Sequence, residues 1–103
     1  KILPSSGVYA SWISIDSIIH PSVTNVGVRP TFYEKPSKLS VEAHILDFNE
    51  DIYHKWIQLY FVEKIRPEKK FTTVEALINQ IMKDKTKAVE ILKNVTQPQG
   101  LFT

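Results

Sequence analysis

The sequence has no cysteine among its 103 residues, which excludes disulfides, thiolate metal sites and cysteine nucleophiles and suits a cytoplasmic protein. No apolar run approaches the ~20 residues that a membrane span needs, and no stretch has the form of a signal peptide. Charge of one sign is scarce: thirteen Lys and Arg against eleven Asp and Glu leave a net charge of +2. A nucleic-acid binder would carry a basic stripe with arginines and aromatics interleaved along its strands. Neither is present, although small anions such as phosphates remain compatible partners. Internal repeats and low-complexity stretches are also absent. What is present is a globular composition, 43% hydrophobic, at a length that supports one domain and one modest core. The opening, Leu3-Pro4 running straight into a strand-like segment, reads as part of a longer protein.

Gly7 to Ile15 is rich in β-formers and follows the breaker cluster Pro4-Ser5-Ser6-Gly7. Asp16-Ser17 reads as a tight turn. Ile18 to Val26 reads as the returning strand of a hairpin, with Pro21 marking an edge or a bulge. Gly27 to Lys38 reads as a loop. Leu39 to Asp47 is a further strand, and Phe48 to Tyr53 a polar turn. Trp56 to Ile65 alternates again, with Ile57, Leu59 and Phe61 on one face and Gln58, Tyr60 and Val62 on the other. It ends where Pro67 removes a donor and constrains Arg66. The period then changes. Val74, Leu77, Ile78, Ile81, Met82, Ala88, Val89 and Leu92 recur at helical spacing, one stripe of an amphipathic helix of about six turns. Thr72 and Glu75 have the spacing of a capping box at its start. The helix is expected to cover the open end or side of the sheet, and Gln97 to Thr103 to be a short tail. Trp12, Trp56 and the helix stripe are expected to be core. Short antiparallel strands followed by one helix predict a small barrel or sandwich over about 7–71 and a helix over about 73–93.

One strand carries an odd residue. In Leu39-Ser-Val-Glu-Ala-His-Ile-Leu-Asp47, Val41, Ala43 and Ile45 share one face, and Glu42, His44 and Leu46 share the other. A carboxylate amid apolar residues on a rigid strand is well placed for a general base. The plain alternative is an exposed Glu on the wet face of a half-buried sheet.

Four segments, in order and at their spacing, resemble the riboflavin kinase (flavokinase) domain. They are Asn25-Val-Gly-Val-Arg-Pro-Thr-Phe32, Ser40-Val-Glu-Ala-His44, Asp51-Ile-Tyr53 and Ile65-Arg-Pro-Glu-Lys-Lys-Phe71. Each is weak alone; together, over about Leu3 to Leu92, they are specific. The resemblance implies an all-β-dominated fold, a six-stranded antiparallel Greek-key-like barrel with a C-terminal α-helix, whose first strand would fall before Lys1. It implies one kinase domain over 1–103. The bacterial form of the first motif implies an N-terminal FMN adenylyltransferase domain in the parent chain. It also implies transfer of the ATP γ-phosphate to the 5′-hydroxyl of riboflavin, with Mg2+ accompanying ATP, and riboflavin/FMN and ATP/ADP as partners.

By this resemblance Glu42 is the general base. Arg66, Lys69 and Phe71 bind the flavin, Ile45, Asp47 and Tyr53 line the nucleotide site, and Arg29 and His44 are candidate phosphate contacts. Glu42 would then sit on the inner side of the barrel, between a flavin end at Arg66–Phe71 and a nucleotide end at Ile45–Tyr53. The acids Asp47, Glu50 and Asp51 are expected to be a solvated turn, with no metal site in this chain. The helix would close over the flavin end as a lid. The family's Gly-x-Pro-Thr-Ala-Asn motif, which holds magnesium and phosphates before the Gly-Val-Tyr strand, is not in this sequence. Pro30-Thr31 lacks the Ala-Asn and sits in a later loop. The chain alone is therefore expected to phosphorylate riboflavin poorly. The alternative is a non-catalytic flavin-binding or interaction barrel.

Overall fold

The computed structural model describes residues 4–29, 38–49 and 55–98. They form four strands, β1 (Gly7–Ile15), β2 (Ile18–Arg29), β3 (Lys38–Ile45) and β4 (Ile57–Arg66), followed by helix α1 (Val74–Lys93). The strands make one antiparallel sheet in the order β3-β2-β1-β4. The expected sheet-dominated fold with a terminal helix is therefore present. Six strands and a closed barrel are not shown among the described residues.

The β1–β2 hairpin closes at Ile15 opposite Ile18. Its two turn residues, Asp16 and Ser17, have φ of 51° and 71°. Positive φ at both positions belongs to the turn whose twist matches that of the flanking strands. Pro21 sits one residue beyond Ser22, where the pairing of β2 with β3 ends at Ile45. Its missing N–H thus falls where no β3 acceptor awaits it, and its carbonyl accepts from the Leu46 amide at 3.0 Å.

β2 runs three residues further than its apolar pattern suggested. Gly27, Val28 and Arg29 pair with Ser40, Leu39 and Lys38 instead of forming a loop. Gly27 reads as a breaker in the sequence, but the structure uses its bareness differently. A Cβ there would lie 2.7 Å from Cδ of Glu68, whose carboxylate passes over the strand. Gly7, at the start of β1, has φ 149° and faces the Arg66 carbonyl, 2.9 Å from where a Cβ would stand. Glycine is needed there on both counts.

Every residue of β1 is buried. On one face Ala10 and Trp12 pack against Ala88 and Leu92 of α1, with Val23, Tyr60, Val62 and Ile65 around them. The β1–β4 register shifts between Val8 and Tyr9 and between Ala10 and Ser11. These irregularities leave Ile65 and Val62 without direct partners, and both turn onto the helix side. On the other face Ser11 bonds Ser22 Oγ at 2.7 Å and Thr24 Oγ1 at 2.8 Å, so three buried hydroxyls satisfy one another.

Two expectations about the core need correction. Trp56 is 90% exposed, because it precedes the last cross-strand pair, Ile15 with Ile57. The helix stripe is only partly core. Asp84, Ala88 and Leu92 are buried, whereas Val74 is 71% and Met82 61% exposed. The C-terminal half of α1 lies on the sheet, and the N-terminal half reaches past the core.

The cap also differs. Thr73, in extended backbone, accepts from the Ala76 amide at 3.1 Å. The N-cap is therefore Thr73, not Thr72, and Glu75 falls one position short of closing a reciprocal box. It still favours the helix N-terminus by charge. Thr73→Ala is expected to lower the opening free energy of the first turns of α1 by about 1 kcal/mol, read by native-state hydrogen exchange. Unchanged protection would show that the bond contributes nothing.

Candidate functional site

Cross-strand partners share a sheet face. Glu42 stands opposite Asn25, Asn25 opposite Val8, and Val8 opposite Arg66. One row thus crosses all four strands and brings together residues that lie far apart in sequence. At ~4.8 Å per strand its ends are roughly 14 Å apart. The row lies on the face that carries Ala10 and Trp12, the helix-bearing face. Glu42 thus lies on the helix-bearing face of the sheet.

The helix packs on β1, β2 and β4. β3, at the end of the sheet, projects beyond it, and Val41 to His44 are exposed. The gap between β3 and α1 is a cavity of about 910 Å³, within the range of small-ligand sites. Glu42, His44 and Asn25 line its sheet side. Arg66, Lys69 and Phe71 line a second wall, and Leu77, Ile81 and Asp84 of α1 a third. The part of the helix stripe left out of the core is in part the apolar wall of this cavity.

Arg66 is held rigidly. Its Nε donates to Asp84 Oδ1 at 2.9 Å and its Nη2 to Asp84 Oδ2 at 2.8 Å. Nη1 donates to the Pro67 carbonyl at 3.2 Å. Asp84 is 4% exposed and also accepts from Gln80 Nε2 at 3.0 Å. This two-pronged pair ties the end of β4 to the middle of α1. The guanidinium lies 5.8 Å from the centre of the Phe71 ring, and Lys69 Nζ lies 5.4 Å from it. A half-buried ring with two cations close by suits a flat aromatic ligand with a polar rim.

The structure therefore gathers Glu42, His44, Arg66, Lys69 and Phe71 around one cavity. Ile45 is on the opposite face of β3 from Glu42, opposite Ser22. Asp47, with φ 50°, borders a separate shallow groove with Lys85 and Lys93. Arg29 ends β2 opposite Lys38, and its side chain lies outside the described residues, as do Tyr53, Glu50 and Asp51. Among the described residues no three side chains of metal-ligand type cluster, and no helix is long and apolar enough to cross a membrane.

Five polar or charged cavity residues were not among the sequence candidates: Asn25, Glu68, Lys70, Asp84 and Lys85. A signal existed for two of them. Asn25 is a polar, weak β-former amid valines and threonine. Asp84 sits in the gap of the helix stripe, between Ile81 and Ala88, where the spacing asks for an apolar residue.

Comparison with known proteins gives concordant results. A family model described as Flavokinase: Riboflavin kinase matches residues 1–92. The bifunctional riboflavin kinase/FMN adenylyltransferase of Bacillus subtilis is 38% identical over 95 residues, 91% of this chain and 30% of that protein. Human riboflavin kinase is 39% identical over 82 residues, 78% of this chain and 52% of that protein. The chain thus spans under a third of the bifunctional relative. A solved structure described as a macrolide-efflux protein from Streptococcus pneumoniae has the same fold, with TM-score 0.77 and 29% identity over 92% of this chain and 29% of that one.

Proposed function

Because the chain belongs to the riboflavin kinase family, we propose that its cavity binds riboflavin and that the protein transfers the ATP γ-phosphate to the 5′-hydroxyl, forming FMN. The observation that carries this reading is the row from Glu42 to Arg66, which sets a carboxylate at one end of the cavity and a cation-flanked ring at the other. The isoalloxazine lies against Phe71, with Arg66 and Lys69 at its polar edge. The ribityl chain runs along the row toward Glu42. The carboxylate takes the hydroxyl proton as that oxygen forms its bond to the γ-phosphorus, and the bond from phosphorus to the β-phosphate bridging oxygen breaks to release ADP. The described residues do not gather into a metal site. By the family resemblance magnesium enters with ATP, and no step is assigned to protein ligands for it.

The nucleotide side belongs to the same proposal: Ile45, Asp47 and Tyr53 at the adenine end, and Arg29 and His44 toward the phosphates. So do the family's six-stranded barrel and an FMN adenylyltransferase domain elsewhere in the protein, as in the Bacillus subtilis relative. No Gly-x-Pro-Thr-Ala-Asn segment lies within the 103 residues, so low turnover is expected of them alone.

Titration with riboflavin, with and without Mg-ADP, followed by chromatography of FMN formed from ATP, tests the reading. The full-length protein is expected to quench flavin fluorescence and make FMN. Flavin binding with neither nucleotide binding nor FMN would establish a non-catalytic flavin-binding barrel instead. No flavin binding would overturn both.

A further inference from the structure

Asn25 occupies the second position of the cross-strand row, beside Glu42 and one strand before Val8. It lines the cavity. Its Oδ1 is buried and has no hydrogen-bond partner among the described residues. Buried polar atoms are nearly always paired, and leaving one unpaired costs stability. A strand position between Val23 and Thr24 on one side and Val26 on the other would accept a valine without loss. An unsatisfied acceptor at the wall of a ligand cavity, next to the candidate base, has the mark of a group whose partner arrives with the ligand.

The geometry names that partner. Resting on the riboflavin reading above, the ligand spans from Glu42, at its terminal hydroxyl, toward Arg66 and Phe71, at its ring. Asn25 is about 5 Å from Glu42 along the row and about 10 Å from Arg66. That is the level of the secondary hydroxyls of the polyol chain, neither the reacting oxygen nor the ring. We infer that the Asn25 amide hydrogen-bonds a secondary hydroxyl of the ribityl chain. This fixes the chain's direction so that the terminal hydroxyl meets Glu42. Rotation about χ2, which is soft in asparagine, turns the enclosed oxygen into the cavity, where a hydroxyl donates to it. Asn25 is thus a reader of the polyol: it distinguishes flavins that carry the chain from those that do not.

The test compares riboflavin with lumiflavin, which has the same ring and a methyl in place of the chain, on the full-length protein. Asn25→Val is expected to weaken riboflavin binding by at least ~10-fold, the cost of losing such a bond, and to leave lumiflavin binding within about twofold. Its melting temperature is expected to match or exceed that of the wild type, because the orphaned acceptor is gone. A purely structural asparagine would show the opposite: lower stability and equal losses on both flavins. Equal losses, or no loss on riboflavin, would overturn the inference. If the valine variant does not fold, Asn25→Ser decides by the same ratio. Wild-type protein that binds neither flavin would overturn the riboflavin reading and this inference with it. Wild-type binding with an unselective Asn25 variant would overturn the inference alone.

Discussion

Glu42→Gln in the full-length protein is expected to lower kcat for FMN formation about 10²–10⁴-fold. Riboflavin binding should change little. The amide keeps the size and the hydrogen-bonding reach of the carboxylate but cannot accept the hydroxyl proton. The flavin ring, held some three strands away at Phe71 and Arg66, does not sense the change. Steady-state chromatography of FMN, with fluorescence titration of riboflavin beside it, separates the two quantities. Turnover near that of the wild type would remove Glu42 from the chemistry. A collapse of binding without a change in kcat would make it a binding residue. The base reading draws on the row and cavity together: Glu42 is exposed, on an end strand beyond the reach of the helix, and directs its side chain to the cavity.

Asp84→Ala is expected to destabilise the domain by roughly 3–5 kcal/mol, the usual cost of breaking a buried ion pair by removing one partner. The Arg66 side chain is only 18% exposed and that of Asp84 only 5%. Removal of the carboxylate therefore strands a guanidinium with little access to water and leaves Gln80 without its acceptor. Native-state hydrogen exchange at the amides of β1 and α1 reads the loss directly. A loss below ~1 kcal/mol would class the pair with exposed ones. Flavin binding should weaken as well, because Arg66 would no longer be held beside the Phe71 ring. The double change Arg66→Met with Asp84→Leu separates the two effects. It should restore stability, since apolar side chains of similar volume replace buried ion pairs without loss, and leave flavin binding impaired.

The clamp also explains why the helix is a wall of the site and not merely a cover. Its C-terminal half is fixed by Ala88 and Leu92 in the core, and Asp84 fixes the next turn to β4. Ile81 and Leu77, one and two turns earlier, then face the cavity. A stripe that a sequence presents as continuous is divided by a single buried acid into a core part and a ligand-facing part. The unbroken reading of that stripe failed because apolar periodicity records that a face is covered, not what covers it.

Local chemistry was enough for the elements. The two-residue turn at Asp16-Ser17, the stop at Arg66-Pro67 and the change of period near Thr73 follow from propensity and backbone geometry. The oddity of Glu42 and the cluster from Arg66 to Phe71 were legible for the same reason, since each is a short run of unusual residue types. Register, the strand-like use of Gly27 and the exposure of Trp56 were not legible, because each depends on a partner distant in the chain: Ser40 opposite Gly27, and the last pair of β1 with β4 short of Trp56. The sequence by itself determined that there would be strands, a terminal helix and a carboxylate set apart from a cationic aromatic cluster. Only the tertiary structure decided that Glu42, Asn25, Val8 and Arg66 form one row, and that Arg66 is held by Asp84. Pairing across strands is set by hydrogen-bond register between distant segments, and no local pattern specifies that register residue by residue.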